Sequence, residues 1–248
     1  MTLCKIAYRR NSQKGFTLVE LMMVMLIVGL IMSGVFTVYR SQQRSQTAQE
    51  AVADLQQNLR AAVVMMSQDI REAGCDPLGL SGAGIVVATP GVLQFTRDIG
   101  GDPVNPNQAN GNVFDPNENV TYGFSIADDA NRNGIADWPA GVDWANPRPL
   151  GRDTGAGFQP IAENIAAIEF SYLMDDGTPP TTTPSAAQLA HIVRVQVSVL
   201  ARAGRADPDY TDARTYTTAA GTVWGPFPDN FRRKLEIITI QIRNKFSS

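Results

Sequence analysis

The run from Phe16 to Tyr39, FTLVELMMVMLIVGLIMSGVFTVY, carries a single ionisable group, Glu20. At about 24 residues and ~1.5 Å of helical rise per residue, it is long enough to cross the ~30 Å hydrocarbon core of a bilayer. It reads as a membrane span. Lys5, Arg9, Arg10 and Lys14 precede it, with no acid among residues 1–15. The positive-inside rule therefore keeps the N-terminus cytoplasmic and exports whatever follows Tyr39. A secretory signal carries its small-residue cleavage site after a shorter apolar region. Here the Gly15–Phe16 junction comes before the apolar run, so a cut at that point removes only a charged leader, 1–15, and leaves the span in the product.

Glu20 is the anomaly of the span, because a carboxylate in an apolar helix is expensive unless paired or neutralised. Two readings stand. A cut after Gly15 creates an amine at Phe16, four residues before Glu20, with which the carboxylate can pair within the chain or between neighbours. Alternatively Glu20 lies near enough to the helix end to snorkel to the headgroups.

Composition narrows the rest. Hydrophobic residues make up 44% of the chain and charged residues 18%, which fits one ordinary globular domain behind the anchor. Net charge is -3 and falls to about -7 without the leader, so a general positive field for nucleic acid is excluded. Of the two cysteines, Cys4 lies in the leader, and removing it leaves Cys75 as a single thiol. No internal disulfide is then available, and Cys75 is either a buried small hydrophobe or a link between chains. His191, the single histidine, falls in a strand-like run, which leaves little for a histidine metal site or a catalytic triad.

Beyond Ser41 the chain turns polar but keeps a helical period. Ala48, Val52, Leu55, Leu59, Ala62, Met66, Ile70 and Ala73 recur at threes and fours, which predicts an amphipathic stem over 40–74 with Gly74 as its stop. From 75 to 248 short apolar runs alternate with Gly, Pro, Asn and Asp, as strands joined by loops do. Strands are expected at 84–88, 92–96, 120–126, 165–174, 192–201 and 235–242. The alternation in IVRVQVSVLA and LEIITIQI points to an antiparallel sheet with one covered face. Segments 97–118 and 127–160 read as surface loops. The expected fold is α+β: a long N-terminal helix, half transmembrane and half stem, packed on an antiparallel head.

The segment KGFTLVEL, Lys14 to Leu21, followed by the apolar helix, resembles the type IV prepilin processing motif. LQQNLRAAVVMMSQDIREAG (55–74) and RRKLEIITIQIRN (232–244) are similar to the stem and final strand of PilW-type minor pilins. The resemblance implies a pilin-like fold and cleavage between Gly15 and Phe16 by a prepilin peptidase. It also implies methylation of the Phe16 amine and a role for Glu20 in pairing with the N-terminus of an adjacent subunit. Other pilin or pseudopilin subunits and the inner membrane are the implied partners, with the head in the periplasm before assembly. On this resemblance the chain is expected to be a minor pilin in type IV pilus assembly. A J-type pseudopilin of type II secretion and an adhesive pilus-tip subunit remain beside it.

One loop carries a separate motif. Asp129, Asn131, Asn133, Gly134, Ile135 and Asp137 follow the pattern D-x-[DN]-x-[DN]-G, in which alternate side-chain oxygens and a backbone carbonyl converge on calcium. Asp129, Asn131, Asn133, the Ile135 carbonyl and Asp137 offer five ligand positions, while Ala140 stands where an EF-hand has its glutamate. The other reading is an Asx-rich turn closed on its own backbone. Enzymatic chemistry has no foothold: there is no G-x-S-x-G, no P-loop and no Cys/His cluster. Trp138, Trp144 and Trp224 in polar segments either form a binding surface or pack their loops down.

Overall fold

The structure is a computed structural model and describes residues 15–102, 104–138, 141–142 and 147–245. The leader through Lys14, including Cys4, and also Ala140 and Trp144 lie outside the described residues. The chain divides into two units, Met1–Ala48 and Gln49–Ser248, with the boundary inside one helix, α1 (Leu18–Arg71).

In the first unit the helix presents its apolar residues outward: from Phe16 to Tyr39 every large hydrophobic side chain is exposed, and an 18-residue window reaches a mean hydropathy of 2.5 with none of it buried. A soluble helix buries at least one apolar stripe. This one has none, which suits a lipid surround.

In the second unit the later turns of α1 bury Leu55, Leu59, Ala62, Met66 and Ile70, the period expected of a stem. The helix ends at Arg71. Gly74 takes φ +71 and donates its N–H to the Thr96 carbonyl at 2.9 Å, so the stop also fastens the helix end to the sheet.

Among the described residues eleven strands follow: β1 (Ile85–Ala88), β2 (Leu93–Thr96), β3 (Asn119–Gly123), β4 (Asp137–Trp138), β5 (Gly141–Val142), β6 (Arg148–Asp153), β7 (Phe158–Met174), β8 (Ile192–Arg202), β9 (Tyr216–Thr217), β10 (Val223–Trp224) and β11 (Arg233–Gln241). Seven form an antiparallel sheet in the order β1-β2-β3-β6-β7-β8-β11. The pairs β4–β5 and β9–β10 are separate two-stranded ribbons. The fold is α+β, as the periodicities indicate.

The sheet has two faces with different covers. Leu93, Phe95, Tyr122, Leu150, Phe170, Val197 and Ile240 join the buried stem residues in the main core. On the opposite face Ala167 and Leu200 pack with Tyr216, Trp224 and Phe227 from the 203–232 excursion. The strand β7 contributes to both faces, and its register shifts between Ile165 and Ala167. A bulge of this kind moves the side-chain parity by one, so that Ile165 and then Ile168 both face the stem.

Segment 127–160, expected to be irregular, contains β6 and the start of β7. Its RPLGRD sequence hides a strand because polar residues and a glycine mask the alternation. The glycine has a packing reason: a Cβ on Gly151 would overlap the Phe158 ring. Segment 97–118 is irregular but not loose. Asp98 accepts the Asn110 and Gly111 amides at 3.0 and 2.9 Å, and Glu118 accepts those of Ile99 and Gly100 at 2.9 and 3.0 Å. These two fully buried carboxylates stand in for the missing strand ladder.

Candidate functional site

At the helix start the Thr17 hydroxyl accepts the Glu20 N–H at 3.2 Å, and the Glu20 carboxylate accepts the Thr17 N–H at 3.4 Å. The pair is a capping box, satisfying two of the donors that a helix start leaves open. It directs the Glu20 carboxylate back to the backbone amide next to Phe16. The T-x-x-E signal stands in the sequence at 17–20, inside the apolar run. Phe16, at 83% exposure, has no packing of its own.

The second candidate, the 129–137 loop, is built on the β7 bulge. The Gly134 carbonyl accepts the Ile168 N–H at 2.8 Å, and Ile135 bridges to Ala167. Gly134 has φ +82, and a Cβ there would overlap the Ile168 carbonyl oxygen, so only glycine lets the loop lie this close to the strand. Asp129 accepts the Asn133 and Gly134 amides at 3.1 and 2.8 Å; Asn131 accepts that of Asn133 at 3.0 Å; Asn133 accepts that of Ile135 at 2.8 Å. The Asn131 side-chain amide donates to Asp137 at 3.2 Å.

Asp129, Asn131, Asn133, Ile135 and Asp137 are thus wound into one turn, with the Asp129, Asn131 and Asn133 side-chain oxygens engaged by backbone amides and that of Asp137 by the Asn131 side chain. Burial raises the Asp129 carboxyl above the usual carboxylate range, against the amide hydrogen bonds that lower it, and the nearby Asp137 charge pushes the same way as burial. Among the described residues no group of three or more His, Cys, Asp or Glu side chains is arranged to hold a metal.

A third constellation had no sequence signal. Asp69, on the stem, accepts hydrogen bonds from Arg97 at 3.1 Å, Tyr122 at 2.6 Å and Arg152 at 2.7 Å. Arg97 also pairs with Glu72 at 2.6 Å. The three partners of Asp69 lie up to 83 positions from it in the chain, so no local pattern announces them. On the outer face Arg233 pairs with Asp212 at 3.4 Å and Asp229 at 2.6 Å. These networks hold stem and excursion to the sheet.

His191 ends a short 3-10 turn, Leu189–His191, instead of lying in β8, and its Nδ1 meets Asp175 at 2.9 Å. Trp224 is buried with Tyr216 and Phe227, so it packs the excursion down and offers no binding surface. Trp138 lies in β4. Cys75 is half-buried and free; burial, followed by the neighbouring Glu72, pushes its thiol pKa up.

Among the described residues, a helix long and apolar enough to cross a membrane is joined to a head in which a stem helix packs on an antiparallel sheet. Residues 10–36 match the prokaryotic N-terminal methylation motif, and residues 144–244 match type IV pilus-assembly protein W. These two matches support a type IV prepilin-like protein of the minor-pilin kind, whose head is similar to PilW-type subunits over residues 144–244. A type IV-like pilin from Thermus thermophilus is similar in structure, at 14% identity and a TM-score of 0.45, over 77% of this chain and 97% of that one. No curated protein matches.

Proposed function

We propose that this chain is a minor pilin acting in type IV pilus assembly. In this reading prepilin peptidase cuts it after Gly15, the Phe16 amine is methylated, and the apolar helix anchors it in the inner membrane with the head in the periplasm. The observation that carries the reading is the Glu20 carboxylate, the one acid in the bare helix, turned toward the backbone amide that follows Phe16. A carboxylate in that position can exchange its Thr17 bond for a new amine at Phe16, its own or that of a neighbouring subunit, which relieves the cost of an acid in lipid. The four basic residues of the leader support the orientation. The similarity of residues 144–244 to pilus-assembly protein W favours a pilus over a secretion pseudopilus. The chain is read as a structural subunit, not an enzyme.

Full-length wild type, Gly15→Ala and Glu20→Ala, expressed in a strain lacking the gene, test this. The expected result is an uncut Gly15→Ala chain and a Glu20→Ala chain that is cut but missing from sheared pili. Loss of secretion with pili intact in the deletion strain overturns the pilus reading.

We also infer that the 129–137 loop takes one calcium ion through Asp129, Asn131, Asn133, the Ile135 carbonyl and Asp137. The supporting observation is electrostatic: a nearly buried carboxylate, Asp129, has a second acid, Asp137, beside it. A cation between them offsets that repulsion. With two carboxylates the site suits the higher calcium levels outside the cytoplasm.

A further inference from the structure

The two edges of the seven-stranded sheet are built differently. The edge strand β1 has four residues and a register shift between Ile85 and Val87. Short, bulged edges are the usual protection against stray strand pairing. At the other edge β11 runs nine residues in unbroken register with β8, from Arg233 opposite Arg202 to Gln241 opposite Arg194.

The direction of its backbone groups follows from antiparallel geometry, in which alternate residues turn both N–H and C=O toward the partner strand. The Arg232 carbonyl accepts the Ala203 N–H at 2.7 Å, and the Ile242 N–H donates to the Val193 carbonyl at 3.0 Å. Even-numbered residues therefore face β8, and Arg233, Leu235, Ile237, Thr239 and Gln241 face the free edge. At Arg233 the carbonyl is capped by the Arg214 guanidinium at 3.3 Å and the Tyr216 hydroxyl at 3.4 Å. From Leu235 to Gln241, among the described residues, no strand or loop backbone pairs with that edge.

The protective charges also stop early. Lys234 and Glu236 pair with each other at 3.1 Å, and the stretch Ile237–Gln241 has no charge, proline or bulge. Ile237 is 43% exposed, and Thr239 is exposed beside it. A row of unmet N–H and C=O groups with an apolar flank fits one kind of partner, an added β-strand.

We propose that the Leu235–Gln241 edge of β11 is a docking site for an uncharged, β-branched strand of a different pilin-type subunit, which extends the sheet by one strand. The proposal rests on the assembly reading given above. A second copy of this chain is the poorer fit. Two-fold pairing that engages all four edge residues sets Leu235 against Gln241 and Ile237 against Thr239. It also places Glu236 against Ile240 and Lys234 against Ile242, so both charges meet apolar side chains.

The test uses the full-length chain in its native membrane with a photoreactive benzoylphenylalanine at position 239. The expected product is an adduct whose cross-linked peptide maps to a strand of another prepilin-type chain. It is lost in Ile237→Pro, which removes one outward N–H while the even-numbered ladder to β8 stays. It is also lost in Ile237→Lys, which keeps every backbone group and adds a gatekeeper charge. Unchanged melting temperature of either variant shows that the head is intact. An adduct with a copy of this chain, with lipid alone or with no protein overturns the proposal, as does an adduct that survives both substitutions. If wild type is recovered in sheared pili and both edge variants cross-link and incorporate equally, the docking edge fails while the assembly reading stands. Absence of wild type from pili defeats the assembly reading by itself.

Discussion

The Tyr122 hydroxyl donates to the Asp69 carboxylate at 2.6 Å, joining the third strand of the sheet to the stem helix 53 positions earlier in the chain. The same carboxylate takes Arg97 and Arg152, so one acid on α1 ties together β3, β6 and the segment that follows β2. Tyr122 is fully buried and its pKa is raised, first by burial and then by that hydrogen bond, so it stays a donor throughout the physiological range.

Removing the donor and removing the hub have different expected sizes. Tyr122→Phe loses one bond to a charged group, about 1.5–3 kcal/mol. Asp69→Ala leaves Arg152 without its anion and Arg97 with Glu72 alone, and costs about 3–5 kcal/mol. Urea unfolding of the full-length variants in detergent measures both, and a hub variant as stable as Tyr122→Phe contradicts the assignment.

Adjacent methionines on the stem test which face is covered. Met66 is fully buried in the main core, whereas Met65 is 41% exposed. Met66→Ala is expected to destabilise the head by about 2–5 kcal/mol, and Met65→Ala by no more than ~0.5 kcal/mol. Equal losses, read from paired thermal or urea melts, contradict the packing.

Acid sensitivity is expected from the excursion network. Burial by itself raises the pKa of Asp212, but hydrogen bonds from Tyr216, Arg214 and Tyr210 outweigh it and hold the group below the ordinary value of 3.8. Burial likewise raises Asp229, and the Arg233 hydrogen bond, the Phe231 amide and the charges of Arg233 and Arg202 together more than reverse it. A carboxyl depressed in the folded state stabilises fully above its unfolded pKa, and that contribution is lost as pH falls through the folded pKa. The contribution is therefore complete at neutral pH and fades below the ordinary value of 3.8. Asp212→Asn leaves the buried Arg233 short of an anion and costs about 3–5 kcal/mol at neutral pH. Its stability then falls less steeply than that of wild type between about pH 5 and pH 2. Parallel pH profiles for the two chains contradict this account.

Calcium is expected to raise the melting temperature of the full-length chain relative to chelator. A ten- to hundredfold excess over Kd corresponds to about 1.4–2.7 kcal/mol. Asp137→Asn should abolish the shift while leaving the melt in chelator unchanged, since the Asp129 and Asn133 turn bonds remain. An identical wild-type melting temperature in chelator and in millimolar calcium removes the site. Gly134→Ala is a control for the loop itself: it should destabilise by at least ~1–3 kcal/mol in either buffer, because the added Cβ meets Ile168.

The elements that were readable without coordinates are those whose signal is local. The apolar run ahead of the stem, the three-and-four spacing of Leu55, Leu59, Ala62, Met66 and Ile70, and the alternation in β8 and β11 each record one element's own periodicity. The capping box at Thr17 and Glu20 was equally local and equally legible. By contrast β6 has no alternation to read, and only its place between β3 and β7 makes RPLGRD a strand.

What the amino-acid order decided alone was the anchor, the stem's buried stripe and the antiparallel character of the head, because each depends on neighbours within a few residues. The tertiary structure decided which face of the sheet each cover takes and that Asp69 is a hub. It also decided that Trp224 is core and that β11 is an open edge. Those outcomes depend on partners far apart in the chain, such as Asn58 and Glu163 at 105 positions and Glu72 and Asn244 at 172. Contacts of that range are set by chain closure and packing, which leave no periodic trace in the sequence.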